Sequence, residues 1–217
     1  ADEYLILPPT FGNLREFYQN LEQRNIDSVS ASLLELYPER LLDLRDQCTP
    51  QSLSEMIEKY PFYDHQKLIE FGNIKRIKQK NPSPTYRLLE KYKLKTRSFA
   101  SRLMGRKSAY VLHKTPIFRN SPNNWLVGSH HCRLRTSKQL LVCLMHMKWT
   151  SDLARRTDQA IKLGSYAKNS ERYQNYKKLF EIADSMPDGL VMTTSKSRKY
   201  ESSQALVDAG IMLDQRQ

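Results

Sequence analysis

His130, His131, Cys132 and Cys143, followed by His146, gather the side chains of this chain that could hold a soft metal. Cys143 and His146 stand at i and i+3, a spacing that on one helix face can hold zinc. The set is incomplete by spacing: it has no CxxC knuckle, and a single Cys in its first half matches no standard finger. Burial of Cys143 as a small apolar side chain is the commoner outcome for a thiol in such a run. The expectation is therefore a fold that needs no metal, and no cofactor is expected. With Cys48 the cysteines number three, an odd and sparse set that makes no disulfide framework and suits a reducing compartment.

His130 and Arg133 also have His-x-x-Arg spacing, within SHHCRLRTS. In that respect the stretch resembles the arginine box of tyrosine recombinases. The resemblance would imply Tyr166, Tyr173 or Tyr176 as nucleophile, in a DNA-processing enzyme. That chemistry also needs an upstream Arg and a Lys around the pentavalent phosphate, and the sequence places no such Arg in a matching helix. Other catalytic signatures are absent: there is no P-loop, GxGxxG, GxSxG or HExxH. Seven Gly in 217 residues leave few phosphate-cradling turns. The expectation is a protein that is not an enzyme.

Charge gives the clearer signal. Residues 1–73 hold 6 Lys or Arg against 13 Asp or Glu, net −7; residues 74–148 hold 18 against 1, net +17; residues 149–217 hold 11 against 9, net +2. From Lys91 to Ser151 there is no acidic residue at all, while 13 Lys and Arg fall in that run. Such segregation costs self-repulsion in the free protein and persists where a polyanion offsets it. Nucleic acid is the commonest such partner, because each phosphate contact releases a counterion.

The residues nominated for phosphate contact are Lys75, Arg76, Lys78, Lys80, Arg87, Lys91, Lys93, Lys95, Arg97, Arg102, Arg106, Lys107, Lys114, Arg119, Arg133, Arg135 and Lys138. Arg87, Lys91 and Lys95 share one face of an expected helix. Their mutual repulsion disfavours that helix by a few tenths of a kcal/mol per pair unless phosphates line it, which gives about the scale at stake. Aromatics interleave with these cations. Tyr86, Phe99 and Phe118 read as core, whereas Tyr92 and Trp125 sit among polar neighbours and are candidates for stacking on bases.

These side chains must be carried by some framework, and apolar periodicity predicts a mainly α one. Glu3 to Pro9 reads as a short extended segment, and a helix is expected to about Arg24. Helices are further expected over Val29–Leu44, over Gln51–Lys59 and after the Ser83–Pro84 cap pair. Three more follow: from Thr136 or Ser137 through Leu140 to Trp149, over Asp152–Leu163 and over Asn169–Met186. Gln204–Leu213 is a last candidate. Short strands are expected at Ser108–His113 and Leu190–Thr194, with Lys114–Asn124 as a loop. The division this suggests is a helical, acidic N-terminal module (1–73), a basic central region with short strands facing nucleic acid (74–148), and C-terminal helices (149–217).

No apolar run approaches the ~18 residues of a membrane span, so no membrane partner is expected. Hydrophobic residues make up 39% and mean hydropathy is −0.67, which points to a modest core. The expected function is that of a non-enzymatic, RNA-associated structural protein of a large ribonucleoprotein. It would touch structured RNA through phosphates and neighbouring proteins through its other surfaces. A ribosomal protein is the specific form of this reading. The start at Ala-Asp-Glu rather than Met suggests processing and extends the expected compartment to the mitochondrial matrix. The alternative is a viral nucleocapsid or matrix-type protein.

Overall fold

The structure, a computed structural model, describes residues 2–45, 50, 52–64, 69–71, 77–79, 83–94, 113–127, 132–134, 136–164 and 167–215. At its centre is a five-stranded mixed sheet. Strand β1 (Glu3–Ile6) pairs antiparallel with β7 (Leu140–His146), which lies parallel to β2 (Ser28–Glu35). Beyond β2 the sheet ends at β6 (His113–Phe118), antiparallel to it. The two-residue strand β9 (Leu213–Asp214) pairs with Leu140 and Leu141 of β7, on the edge that β1 occupies farther along. Two small ribbons complete the strands: β3 (Phe62–Asp64) with β8 (Ser197–Lys199), and β4 (Ile69–Phe71) with β5 (Ile77–Gln79). The central sheet thus draws strands from all three composition segments.

This corrects the mainly α expectation. The two segments that build the sheet's middle, SVSASLLE and LLVCLMH, were both read as helix. In β2 all eight residues are buried, and in β7 the first six are. In β7, covered on both faces, the apolar run LLVCLM has no apolar–polar alternation and imitates one side of a helix, whereas β2 keeps the alternation in SVSASL, a period-two strand pattern. In β7 the alternation survives in which core each residue enters. Leu141, Cys143 and Met145 of β7 join one cluster; Leu140, Val142 and Leu144 join another on the opposite face. Lys114–Phe118, expected as loop, is strand instead. Pro116 is tolerated there because β6 is an edge strand whose register with β2 shifts between Val29 and Ala31. Leu190–Thr194 contributes only an isolated bridge, Val191 to Arg40.

The Ser83–Pro84 pair and Gly164 mark helix ends as expected, whereas Thr136 and Ser137, expected to cap a helix, precede strand β7. Asn13 caps α1 (Leu14–Gln23) by accepting from Glu16 N–H at 3.0 Å, and the Glu16 carboxylate accepts in return from Gly12 N–H at 2.9 Å. Ser52 caps α2 (Leu53–Lys59), and Ser83 with Pro84 starts α3 (Pro84–Lys91). Gly164, at φ 57°, ends α4 (Leu153–Leu163); α5 spans Ala167–Asp184, and Ser202 caps α6 (Ser203–Asp208). Among the described residues no helix is long and apolar enough to cross a membrane.

Each sheet face has its own cover. Phe17 and Leu21 of α1, with Phe11, close one face over Val29, Ala31 and Leu33. Leu206 of α6, with Ile211 and Met212, closes the other over Leu34, Cys143 and Met145, and α2 adds Leu53, Met56 and Ile57. A third cluster lies past the C-terminal ends of β2 and β7. There α3, α4, α5 and the 3₁₀ turn Leu41–Arg45 pack around Tyr37, Tyr60, Trp149 and Tyr176. Each large side chain so buried contributes about 1.5–3 kcal/mol.

Candidate nucleic-acid interface and a buried charged cluster

Of the nominated cations, Lys75, Arg76, Lys80, Lys95, Arg97, Arg102, Arg106, Lys107 and Arg135 lie outside the described residues, and Lys78 sits in β5 opposite Glu70. Those that are described divide into two groups. Arg87 turns inward from α3. Its Nε and Nη2 donate to the two carboxylate oxygens of Asp64, each at 3.2 Å, and Nη2 also donates to Met192 O at 3.0 Å. Tyr37 donates to the same carboxylate from the other side, and burial, with Asp64 beside it, pushes its phenol well above the ordinary range. This fork and its partners tie α3 to β3 and the 190s. Lys114 donates to Glu3, and Arg119 pairs with Asp27 at 3.3 Å in a half-exposed bridge.

The second group faces solvent. Lys91 ends α3 with its ammonium 5.2 Å from the Tyr92 ring centroid. Lys93 follows at φ 56°, a left-handed position that glycine usually fills, and Leu94 N–H closes the turn onto Leu89 O at 2.9 Å. Holding a lysine there costs about 1 kcal/mol, and both lysines are exposed. Tyr92 itself is partly buried against the helical core, so its ring is mostly committed to packing. Lys138 and Arg133 are exposed, and Arg133 lies over the exposed Trp125.

Among the described residues, the candidates for metal binding and for a recombinase-type nucleophile are placed as follows. Cys143 and His146 lie on a strand, where positions three apart point to opposite faces. Cys143 is fully buried, and burial pushes its thiol well up. Cys132 is likewise buried and free, while Cys48, His130 and His131 are outside the described residues. Tyr176 is buried and its phenol is pushed far up by burial; Tyr173 is packed against the same core, and Tyr166 lies outside the described residues.

Sequence reasoning missed a charged cluster where β2 and β7 end side by side. Glu35, 5% exposed, is the Cα partner of His146. Its Oε2 accepts from Thr85 N–H at 3.3 Å and from the Thr85 hydroxyl at 3.1 Å, so the carboxylate sits in the first turn of α3, where the helix dipole favours it. Lys148 approaches Glu35 at 3.8 Å, donates to the Thr85 hydroxyl at 2.8 Å and lies 5.2 Å from the Tyr176 ring centroid. His146 stands between Glu35 at 3.8 Å and Asp2 at 3.6 Å. The partners come from residues 2, 35, 85, 146, 148 and 176, and the paired strands, with α3 and α5, bring them together. Among the described residues, Asp2, Glu3 and His146 also hold ligand atoms within 4.8 Å of one another, but Lys114 already donates to Glu3, so a divalent ion would have to displace an ammonium.

Burial, reinforced by Lys148, holds His146 below the ordinary imidazole range, against the opposing pull of Glu35, Asp2 and Glu3. Below the unfolded value of ~6.5 the unfolded chain therefore takes up a proton that the folded chain resists. Stability should fall from there downward, by at most ~1.4 kcal/mol per pH unit, until the folded-state value is passed. Urea midpoints at pH 7.5 and 5.5 check this. The pH-dependent loss should shrink in H146Q; an equal loss in both proteins would assign it elsewhere.

Comparison with known protein families, with curated proteins and with solved structures finds no match to this chain.

Proposed function

We propose that this chain is a non-enzymatic, RNA-associated structural protein of a large ribonucleoprotein, contacting RNA phosphates through residues 74–148. A ribosomal protein, mitochondrial or otherwise, is the specific form of that proposal. The observation that carries it is positive charge that, among the described residues, is turned to solvent. Among the described residues, four acidic groups that reach the central region are engaged: Asp64 with Arg87, Glu3 with Lys114, Asp27 with Arg119 and Glu35 with Lys148. Lys91, Lys93, Arg133 and Lys138 remain turned to solvent, in a run that contains no acid of its own. A ligand rich in phosphate gives such a surface its counter-charge. RNA is favoured over duplex DNA because an exposed aromatic accompanies the cations, and unpaired bases are what such rings accept.

Nucleic acid should co-purify with the protein, raising the ratio of absorbance at 260 to 280 nm, and should leave on a high-salt wash. The Lys91→Glu, Lys95→Glu, Arg102→Glu, Arg106→Glu and Lys107→Glu variant should lose RNA binding in a fluorescence-anisotropy titration. Unchanged affinity in that variant would remove the proposal.

A further inference from the structure

Two segments, residues 119–127 and 132–134, present Trp125 to solvent on a tied backbone. Ser121 and Asn124 exchange backbone hydrogen bonds at 3.0 Å, and Arg133 N–H donates to Trp125 O at 2.9 Å. The side chain of Asn124, buried to 1% exposure, bolts the two segments together. Its amide donates to Arg119 O and its carbonyl accepts from Leu134 N–H, both at 3.1 Å. Trp125 and Arg133 are thus held on opposed rungs. The guanidinium carbon lies 4.4 Å from the ring centroid, while the ring stays 44% exposed.

An indole left this exposed on a fixed backbone has apolar surface for a ligand to cover. The guanidinium stacks on the indole, and among the described residues no carboxylate pairs with Arg133. Its N–H fork is available to an anion. A flat apolar face next to an unpaired planar cation is the chemistry of a nucleotide: a base for the ring, a phosphate for the fork. We propose that Trp125 and Arg133 form a binding site for an unpaired nucleotide, whose base stacks on the indole while Arg133 donates to the adjoining phosphate. This rests on the reading of the chain as RNA-associated and goes beyond it, by requiring the ligand to present at least one base outside a duplex.

Leu126 (53% exposed), Val127 (67%) and Leu134 (40%) flank the ring and would also suit an apolar protein surface. Charge decides between the two. No acidic residue occurs between Lys91 and Ser151, and an apolar partner would have to desolvate an unpaired guanidinium for no return.

The sequence has two Trp, and Trp149 is 1% exposed, so quencher-accessible emission belongs to Trp125. The test titrates the full chain with a hairpin RNA carrying a bulge, the same RNA fully paired, and single-stranded DNA of the bulged sequence. Bulged RNA should quench the accessible emission and bind more tightly than its paired counterpart. Trp125→Ala should weaken bulged RNA by about 5- to 150-fold and leave the paired RNA nearly unchanged. Trp125→Phe, which keeps an aromatic face, should lose less, and it guards against a loop disturbed by truncation. The DNA arm shows whether the sugar matters as well as the base.

Equal affinity for bulged and paired RNA with unmoved emission, in a protein that does bind RNA, overturns the site and leaves the proposed function standing. A Trp125→Ala change that alters sedimentation but not RNA affinity also overturns it, assigning the loop to protein contact. Failure to bind any of the three removes the proposed function and this site with it.

Discussion

Lys148→Met should destabilise the protein by about 3–5 kcal/mol, because it leaves a buried carboxylate without its counter-charge. Glu35 and Lys148 are 4% and 11% exposed in their side chains, and water cannot replace either partner cheaply. Lys148 also holds the Thr85 hydroxyl that donates to Glu35, so its loss loosens two bonds of the cluster. Removing both charges, as in Glu35→Leu with Lys148→Met, should recover most of the loss, since a well-packed apolar pair is often as stable as a buried ionic one. Chemical denaturation of both singles and the double closes the cycle. A single variant within 0.5 kcal/mol of the parent would show that Thr85 and the α3 N-terminus suffice to hold Glu35.

RNA affinity should fall by about 10³–10⁵-fold between 50 and 200 mM salt, if 6–10 of the central cations meet phosphates. Arg87 and Lys148 should contribute little to that slope, because their charges are engaged inside the fold. Base-edge readout would behave differently, adding ~1–3 kcal/mol per bidentate contact with little salt dependence. Within the acid-free run only Asn120, Asn123, Asn124 and Gln139 carry amides, and Asn124 is occupied in its own loop. Affinity for a structured RNA and a scrambled duplex of equal length, measured across that salt range, checks the expectation. A shallow slope with strong preference for one sequence would contradict it.

What the sequence disclosed was local. Ser83 followed by Pro84 announced α3, and Gly164 announced the end of α4, because a cap is chemistry between residues a few positions apart. The sheet was hidden for the opposite reason. Whether LLVCLMH is strand or helix depends on what covers its second face, and that cover, α1 on one side and α6 on the other, lies elsewhere in the chain, whereas SVSASL carries a period-two strand pattern of its own. The same non-locality governed the candidate sites. Trp125 could be singled out from its polar neighbours, but its guanidinium partner depends on the bridging of the two segments. Nothing near Arg87 in sequence reveals its ion pair with Asp64. No local pattern predicts the meeting of Glu35 with Lys148.

The parallel pairing of β2 with β7 sets a timetable for the growing chain. Tyr4 pairs with Met145 and Leu33 with Leu144, so β1 and β2 leave the ribosome well before their shared partner exists. At ~5–20 residues per second that interval is about 5–30 s. Through it the nascent chain carries two apolar strands with open edges, the condition in which strands join the wrong neighbour. Correct assembly of this protein should therefore depend on holding the first third of the chain apart until the middle arrives, and a binder of exposed strand edges would act on it during synthesis rather than after.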